Sequence, residues 1–275
     1  MSKPKILFVS QEIIPYTPEN EMSTIGRILP QGTQESGKEI RTFMPRFGRI
    51  NERRHQLHEV IRLSGMNLVV NDVDHPLIIK VASIQPARMQ VYFIDNEEYF
   101  YRKAFLEDDD DVAFEDNDER AIFFAKGVLE TVKKLGWSPD IIHCHGWMAG
   151  LVPTYLKTLY KNDPLYAGSK VIYSTYDIEP NGPVHADFHK KLAFDGIDEE
   201  RTKLVEDPTY SNIHKLAIQD ADALIVGHEG FDPNLVEFME ETGKPMLNDV
   251  SEEEVITKVN EFYDQILEEN SVLAG

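Results

Sequence analysis

The amino-acid sequence predicts an α/β domain built on a doubly wound, mostly parallel sheet with helices on both faces. Two observations support this fold class. Short apolar runs such as residues 6–9 lack polar alternation, which is typical of strands buried on both faces. Amphipathic helical segments separate these runs, and strands that alternate with helices favour parallel pairing. Such sheets bind ligands beyond the carboxyl ends of their strands, so candidate site residues are sought there.

Proline and glycine set the boundaries of the elements in the first part of the chain. A helix over 23–36 contains Pro30, which we expect to kink or shorten it, and Gly37 suits the left-handed residue after a helix. Residues 46–76 are polar and carry no clear pattern, although 60–70 could hold a hairpin. The predicted strands in this part are 6–9, 39–44, 77–81 and 91–94.

The second part of the chain continues the alternation of helices and strands. A helix over 120–135 has apolar residues at helical spacing, with Asn117 as its expected N-cap and Gly136 at its end. The further predicted strands are 140–143, 170–175 and 223–226, and the further helices are 146–160 and 212–219.

The C-terminal segment predicts an amphipathic helix. Ser251 and Glu254 have the spacing of a capping box at the start of this helix. We therefore expect one domain over residues 1–246, with the C-terminal helix in 247–275 packed on it. The apolar stripe of the helix consists of Val255, Val259, Phe262 and Ile266.

Composition limits the kinds of partner. In 275 residues the chain carries 48 acidic and 28 basic side chains, a formal charge of −20, which disfavours nucleic acid and anionic membranes. The single cysteine, Cys144, allows no intrachain disulfide, and its apolar surroundings predict an inert thiol. Neither a signal-peptide pattern nor a membrane-spanning apolar run is present. We expect a cytoplasmic protein with a neutral partner such as carbohydrate, or a basic protein partner.

The segment after the first strand lacks the features of a phosphate-binding loop. Such a loop needs glycines, so that backbone N–H groups can approach the anion. Residues 11–21 instead contain Pro15 and Pro18, which have no N–H, and Glu19 and Glu21, whose charge repels phosphate. We therefore expect no working phosphate loop, and the sequence indicates no cofactor.

Histidines near the end of a predicted strand form a candidate polar site. His143 and His145 lie on one side of the chain, and Trp147 follows them. His185 and His189 are four residues apart and could share a helix face. No second cysteine or paired carboxylate completes a zinc site, so polar packing or sugar contact is favoured over a metal.

Aromatic and acidic residues follow the predicted strand at 91–94. Tyr99 and Tyr101 lie past this strand, where exposed rings could stack on sugar faces or serve only the structure. Residues 107–119 hold nine carboxylates in thirteen positions, without the central glycine of a calcium loop. We expect this acidic run to be a solvated, mobile loop.

Several motifs in order resemble the glycogen and starch synthase family through about residue 226. They are KILFVSQE at 5–12, RTFMPRFG at 41–48, the aromatic segment at 92–102, NDER at 117–120, GWSPDIIHCH at 136–145 and LVPTYLK at 151–157. The resemblance implies the N-terminal Rossmann-like domain of a GT-B glycosyltransferase, the half that mainly handles the acceptor glucan. The family's second domain, which mainly binds ADP-glucose, has no counterpart in this sequence.

The sequence departs from the family pattern at positions that bear on catalysis. The family's Lys-x-Gly-Gly-Leu loop reads PENEM at 18–22, so the lysine and both glycines are absent. The family's Asp-Trp-His reads Gly146-Trp147-Met148, and a histidine after the next strand is Tyr176. A departing diphosphate needs cations, and losing one such contact costs about 10²–10³ in rate, so the resemblance implies a catalytically degenerate chain.

The resemblance also implies a set of binding residues, with no catalytic residue and no metal or cofactor. The degenerate nucleotide-sugar loop comprises Pro18, Asn20 and Glu21. The sugar-binding candidates are Asp95, Asn96, Tyr99, His145, Trp147, Tyr176 and Asp177.

Three hypotheses for function are open at this point. The first is a degenerate glycogen-synthase-like protein of glucan metabolism that binds α-glucan, an oligosaccharide or a partner protein. The second is an ADP-glucose:α-glucan glucosyltransferase that acts with a separate partner chain supplying the second domain. The third is an unrelated small-molecule binder on the same scaffold. An assay with ADP-glucose and glycogen separates the first two, and glycan binding separates both from the third.

Overall fold

The computed structural model describes residues 3–227, 232–248 and 250–273. The expected domain spans also include residues 1–2, 228–231, 249 and 274–275, which lie outside the described residues. Ten strands within the described ranges form one sheet. They are β1 (Lys5–Ser10), β2 (Glu39–Pro45), β3 (His58–Glu59), β4 (Met66–Val70), β5 (Val73–Ile84), β6 (Met89–Asp95), β7 (Ile141–His145), β8 (Lys170–Ser174), β9 (Ala223–Ile225) and β10 (Met246–Leu247).

The sheet is mostly parallel, as predicted. Its strand order is β10-β9-β8-β7-β1-β2-β6-β5-β3, and β4 pairs with β5 outside this path. Each pairing from β10 to β6 is parallel, whereas β5 runs antiparallel to β6, β3 and β4. The chain order reverses at β1, because β2 lies on one side of it and β7 on the other. Ligands of open α/β sheets bind at the carboxyl ends of strands beside such a reversal.

Helices cover both faces of the sheet. The described helices are α1 (Glu21–Glu35), α2 (Glu52–His55), α3 (Glu97–Phe100), α4 (Asn117–Leu135), α5 (Leu151–Lys157), α6 (Phe188–Phe194), α7 (Glu199–Thr202), α8 (Tyr210–Asp220), α9 (Pro233–Glu241) and α10 (Val255–Leu273). None of the helices in the described part of the chain is long and apolar enough to cross a membrane.

Alternation along the central strand divides the core into two clusters. Ile6 and Phe8 pack with residues of α1 and α10, whereas Leu7 and Val9 belong to the larger cluster that includes α4, α5 and α8. All four side chains are completely buried. The prediction that this apolar run is a strand buried on both faces is therefore confirmed.

The C-terminal helix packs on α1. Its predicted apolar stripe is buried, and Ile256 approaches so closely that a Cβ atom on Gly32 would lie 2.5 Å from its Cγ2. Asn260 Nδ2 donates to Thr33 Oγ1 at 3.2 Å. The predicted capping box is wrong, because the Ser251 hydroxyl donates to the Glu254 carboxylate at 3.0 Å and α10 begins only at Val255.

Several predicted boundaries differ from the structure. The hairpin is formed by β4 and β5, not by residues 60–70. Asn117 is not an N-cap; it is the first residue of α4, and its side-chain amide donates to the Leu106 carbonyl at 2.8 Å. The helix predicted over 146–160 is a 3-10 turn at Trp147–Ala149 followed by α5. Pro30 does not shorten α1, which continues to Glu35 with Pro30 buried.

Candidate functional site

The carboxyl ends of β7 and β8 bring together a buried polar cluster. The rings of His143 and His145 are in contact, with centroids 3.9 Å apart and an interplanar angle of 36°. His143 Nε2 lies 2.7 Å from Ser174 Oγ, and its Nδ1 lies 2.6 Å from the Tyr263 hydroxyl of α10. His145 Nδ1 lies 2.9 Å from the Tyr176 hydroxyl. The cluster therefore joins neighbouring strands to the C-terminal helix.

Burial keeps both histidines of this cluster uncharged. Desolvation lowers the pKa of His145 from 6.5 to about 3. Desolvation, and secondarily the neighbouring ring of His145, lowers the pKa of His143 well below 6.5. Since an imidazolium would have to be desolvated here, both rings are neutral at physiological pH. His145 Nε2 is buried and finds no hydrogen-bond partner among the described residues.

The space in front of His145 is almost completely filled. A cavity of only about 30 Å³ remains, lined by Glu21, His145 and Tyr176 and by Val255 and Val259 of α10. Such a volume admits little more than a water molecule, for which about 10–15 Å³ suffices. Pockets that bind small molecules usually measure about 300–1,000 Å³. A sugar ring therefore has no room at this point of the sheet edge.

Gly146 and Met22 pack closely on each other beside this cluster. Gly146 has φ +81, a left-handed conformation that favours glycine, and a Cβ atom there would lie 2.6 Å from Met22 Sδ. A larger residue at position 146 would therefore be strained and would require the Met22 side chain to shift. Met22 and Gly146 thus depart from the family pattern as a packed pair.

The segment that replaces the phosphate loop is the capped start of α1. Asn20 Oδ1 accepts the N–H of Ser23 at 2.8 Å, and Ser23 Oγ accepts the N–H of Asn20 at 2.9 Å. The Asn20 amide also donates to Glu12 at 2.6 Å. The Asn20 side chain thus satisfies one N–H donor of the first turn, and Glu21 adds negative charge to that turn. A phosphate at this position would lie beside the Glu21 carboxylate.

Tyr99 does not present an exposed ring. It is 3% exposed, and its ring packs on those of His75 and Phe123. Its hydroxyl donates to Glu119 and lies 3.0 Å from His75 Nε2. The expectation of exposure is wrong because the one-turn helix α3 directs Tyr99 into the core. Tyr101, 74% exposed, is the ring that faces solvent.

Asp95 and Asn96 are buried and engaged by their surroundings. The Asp95 carboxylate lies 2.9 Å from Lys80 Nζ and 3.6 Å from Arg46 Nε. Asn96 accepts backbone N–H groups of α3, and its side-chain amide donates to the Pro76 carbonyl at 3.0 Å. Both residues therefore hold the turn between β6 and α3.

Asp177 is the one exposed residue among the seven sugar-binding candidates. Trp147 is 1% exposed and meets the Tyr210 ring edge-on, with centroids 4.8 Å apart. His145 and Tyr176 belong to the buried cluster. The structure thus brings His145, Trp147 and Tyr176 to the carboxyl edge of the sheet. Of the seven candidates, only Asp177 is open to solvent.

Two larger cavities flank the loop of residues 177–183, which follows β8. The outer cleft, of about 620 Å³, lies between this loop and residues 207–211 at the start of α8. The inner cavity, of about 210 Å³, lies on the other side, between residues 178–180 and a wall that includes Glu12 and Arg49. The loop therefore separates the two cavities, and residues 177–183 are called the partition loop below.

Both cavities are acidic. Asp177, Glu179 and Asp207 line the outer cleft, and no lysine or arginine is among its described lining residues. The described lining of the inner cavity has one basic residue, Arg49, and five acidic residues. The acidic residues are Glu12, Glu107, Asp108, Asp111 and Glu179. Carboxylates repel a diphosphate but accept hydrogen bonds from neutral hydroxyl groups. The site is therefore suited to a neutral, hydroxyl-rich ligand.

Contacts that the sequence did not reveal hold the partition loop. Glu179 lies 2.6 Å from His214 Nε2, whose Nδ1 lies 2.7 Å from the Tyr173 hydroxyl. Glu107 accepts the backbone N–H of Asn181 at 2.6 Å. These pairs are separated by 35 to 74 residues in the chain, so no local pattern indicated them.

The remaining polar motifs form no metal centre. His185 and His189 do not share a helix face as predicted, because α6 begins only at Phe188. No group of three or more metal-ligating side chains occurs in the described part of the chain. The acidic segment is exposed over 108–112, and Asp108 accepts the N–H of Val112 at 3.0 Å. Burial raises the pKa of the Cys144 thiol, in agreement with an inert cysteine.

Comparison with known proteins places this chain in a family. The sequence model of the starch synthase catalytic domain matches residues 5–230, close to the expected extent. The glycogen synthase of Chlorobium limicola is 37% identical over 189 residues, covering 68% of this chain and 39% of that protein. The glycogen synthase of Chlorobium phaeovibrioides is 34% identical over 221 residues, covering 80% of this chain and 45% of that protein. The chain thus spans less than half the length of these relatives.

A solved structure shows the same fold. The catalytic domain of starch synthase IV from Arabidopsis thaliana, bound to ADP and acarbose, matches with a TM-score of 0.70 at 18% identity. The match covers 90% of this chain and 51% of that chain. The protein belongs to the starch synthase catalytic domain family, with the fold of the N-terminal Rossmann-like domain of a GT-B glycosyltransferase.

Proposed function

We propose that this chain is a glycogen/starch synthase-like protein of glucan metabolism that binds α-glucan but does not itself transfer glucose from ADP-glucose. The observation that carries the proposal is the filled crevice in front of His145. Glu21, Tyr176 and α10 line the cavity of about 30 Å³ that remains there, so a glucosyl unit cannot lie against this sheet edge. Open space is found instead in the outer cleft.

The charges of the site also argue against transfer from a nucleotide sugar. The departing diphosphate must be stabilised by cations or N–H donors, each worth about 10²–10³ in rate. The described lining of the His145 cavity contains Glu21 but no lysine or arginine. The sequence lacks several such groups, among them the lysine of the loop at 18–22 and the histidine that Tyr176 replaces. The losses in rate multiply when these groups are absent together.

The outer cleft supports binding of a neutral glucan. Carboxylate, amide and hydroxyl groups of Asp177, Asn181, Thr209 and Ser211 line it and can pair with sugar hydroxyls. An uncharged oligosaccharide meets no Coulombic penalty at an acidic wall. The Arabidopsis relative, whose structure contains acarbose, shows that a domain of this fold occurs in a protein that binds an oligosaccharide analogue.

We expect no glucosyl transfer when this chain is incubated with ADP-glucose and glycogen. Release of ADP is measured with a coupled assay, with the Chlorobium limicola glycogen synthase as the positive control. The expected rate equals that of the reaction without protein, because the crevice is filled and its described lining contains no lysine or arginine. ADP release above that background would contradict the proposal.

The alternative is a glucosyltransferase that acts with a separate second chain. The 37% identity to a complete glycogen synthase favours it. It predicts that transfer appears when this chain is mixed with the C-terminal half of the Chlorobium limicola enzyme. Our proposal predicts no transfer in that mixture, since a second domain does not empty the crevice at His145.

We expect the outer cleft to bind maltooligosaccharides with millimolar affinity, about −4 kcal/mol. In an NMR titration, resonances of residues 177–183 and 207–211 should shift together and saturate. Asp177→Ala should weaken binding about threefold to tenfold, since it removes one hydrogen bond of about 0.5–1.5 kcal/mol.

Asp109→Ala is the matched control for this titration. It removes the same charge from the exposed acidic segment, and Asp109 lines neither cavity. Its affinity should equal that of the wild type. If the cleft resonances stay fixed at high sugar concentration, the glucan-binding part of the proposal fails, whatever the transferase assay shows.

A further inference from the structure

A basic groove lies at the amino edge of the sheet, opposite the outer cleft. This amino-edge groove is formed where α1 ends and where β1, β2 and β6 begin, and its volume is about 500 Å³. Four of its nine lining residues are cationic, whereas one, Glu39, is acidic. The cations are Lys3, Lys38, Arg41 and Arg88. Such a concentration of positive charge is unexpected in a chain of net charge −20 and calls for a functional explanation.

Arg41 provides the most specific feature of the groove. Its guanidinium lies 5.8 Å from the centroid of the Tyr92 ring and 5.7 Å from that of Trp137. One N–H donates to the Tyr92 hydroxyl at 3.3 Å, and the buried Nε finds no hydrogen-bond partner in the described part of the chain. The aromatic rings hold the guanidinium in place without neutralising it. The buried Nε is not accessible to a ligand, but the positive charge of this positioned guanidinium lines the groove and is suited to attract an oxyanion.

The neighbouring cations are also available. Arg88 is exposed and directly follows a 3-10 turn, with its own φ at +50. Neither Arg88 nor Lys3 makes an ion pair within the described ranges. Lys38 pairs with Asp264 at 2.9 Å. Glu39 already accepts the indole N–H of Trp137 at 2.5 Å. Glu39, the acidic residue in the described lining of the groove, thus already accepts a hydrogen bond, whereas most of the cationic side chains retain unused N–H donors.

We propose that the amino-edge groove binds a small phosphorylated molecule. Arginine presents its N–H groups in a planar fork that matches phosphate oxygens. The volume of the groove is that of a small-molecule pocket, and the net negative charge of the chain disfavours a long polyanion such as nucleic acid. The groove is separate from the outer cleft and independent of the glucan-binding proposal.

Titration with inorganic pyrophosphate tests this assignment. We expect saturable millimolar binding by calorimetry at low salt, weakened about tenfold or more by Arg41→Gln and about threefold by Arg88→Asn. Asparagine tolerates the left-handed conformation of residue 88, and this turn is exposed, so the second variant remains informative if Arg41→Gln unfolds. Arg53→Gln, on the exposed surface of α2, should bind like the wild type.

Two results would overturn the proposal. One is the absence of saturation at about 10 mM pyrophosphate, which excludes millimolar affinity. The other is equal binding by the wild type and Arg88→Asn, because the anion would then lie elsewhere. Neither result bears on the transferase or maltooligosaccharide experiments, which probe the opposite edge of the sheet.

Discussion

Between about pH 7.5 and pH 5.5, His143 and His145 together should lower the free energy of unfolding by about 3 kcal/mol. Burial holds the folded-state pKa of both histidines far below 6.5, the ordinary value to which each returns on unfolding. The unfolded chain therefore binds two more protons than the folded chain below pH 6.5. The contribution of the two neutral histidines to the free energy of unfolding is fully present above pH 6.5. It declines as the pH falls, until the folded-state pKa values are reached.

Buried carboxyl groups oppose part of this loss. Desolvation raises the pKa of Asp118, Asp95 and Glu12, so their protonation favours the folded chain as the pH falls. The total change is therefore smaller than the histidine contribution alone. The comparison of variants isolates that contribution, because these carboxyl groups are common to all of them.

The test is urea unfolding of the wild type and His145→Gln at both pH values. His145→Gln should show a pH dependence smaller by about 1 kcal/mol, the contribution of one histidine over one pH unit below its unfolded pKa. An identical pH dependence in His145→Gln and the wild type would show that His145 is not held neutral by burial.

Replacing Lys126 by methionine should lower the free energy of unfolding by about 3–5 kcal/mol, as expected when one partner of a buried ion pair is removed. Lys126 Nζ lies 2.7 Å from Asp195 and donates to the Val69 carbonyl at 2.6 Å. The side chains of the pair are only 10% and 5% exposed. In the variant, the Tyr155 hydroxyl would remain the side-chain donor to a buried Asp195 carboxylate.

Two further variants make the test specific. Lys126→Met combined with Asp195→Asn should recover part of the loss, because the uncompensated charge is removed. Lys133→Met, in the same helix, removes a lysine whose side chain is 35% exposed and should cost less than about 1 kcal/mol. Equal losses in the two single lysine variants would contradict the burial argument. The pair matters for the site because it anchors α6, which follows the loop of the outer cleft.

The sequence by itself determined the fold class and the family. Residues 6–9 and 140–143 were identified as buried strands because a strand covered on both faces must be apolar at consecutive positions, which is a local property. The apolar stripe of α10 could also be predicted from the sequence, since one buried helix face repeats every 3.6 residues. The short helices α6 and α9 were not predicted, because helices of this length depend on packing rather than on their own pattern.

Only the tertiary structure decided which candidate residues are accessible. Exposure depends on what distant segments place over a side chain, and no local pattern contains that information. Tyr99 is buried because Glu119 and His75 reach it from other elements. The His145 crevice is filled because α10 packs there, with Tyr263 contacting His143 across 120 residues of chain. The amino-edge groove likewise exists only where separate strands and a helix end at one edge of the sheet.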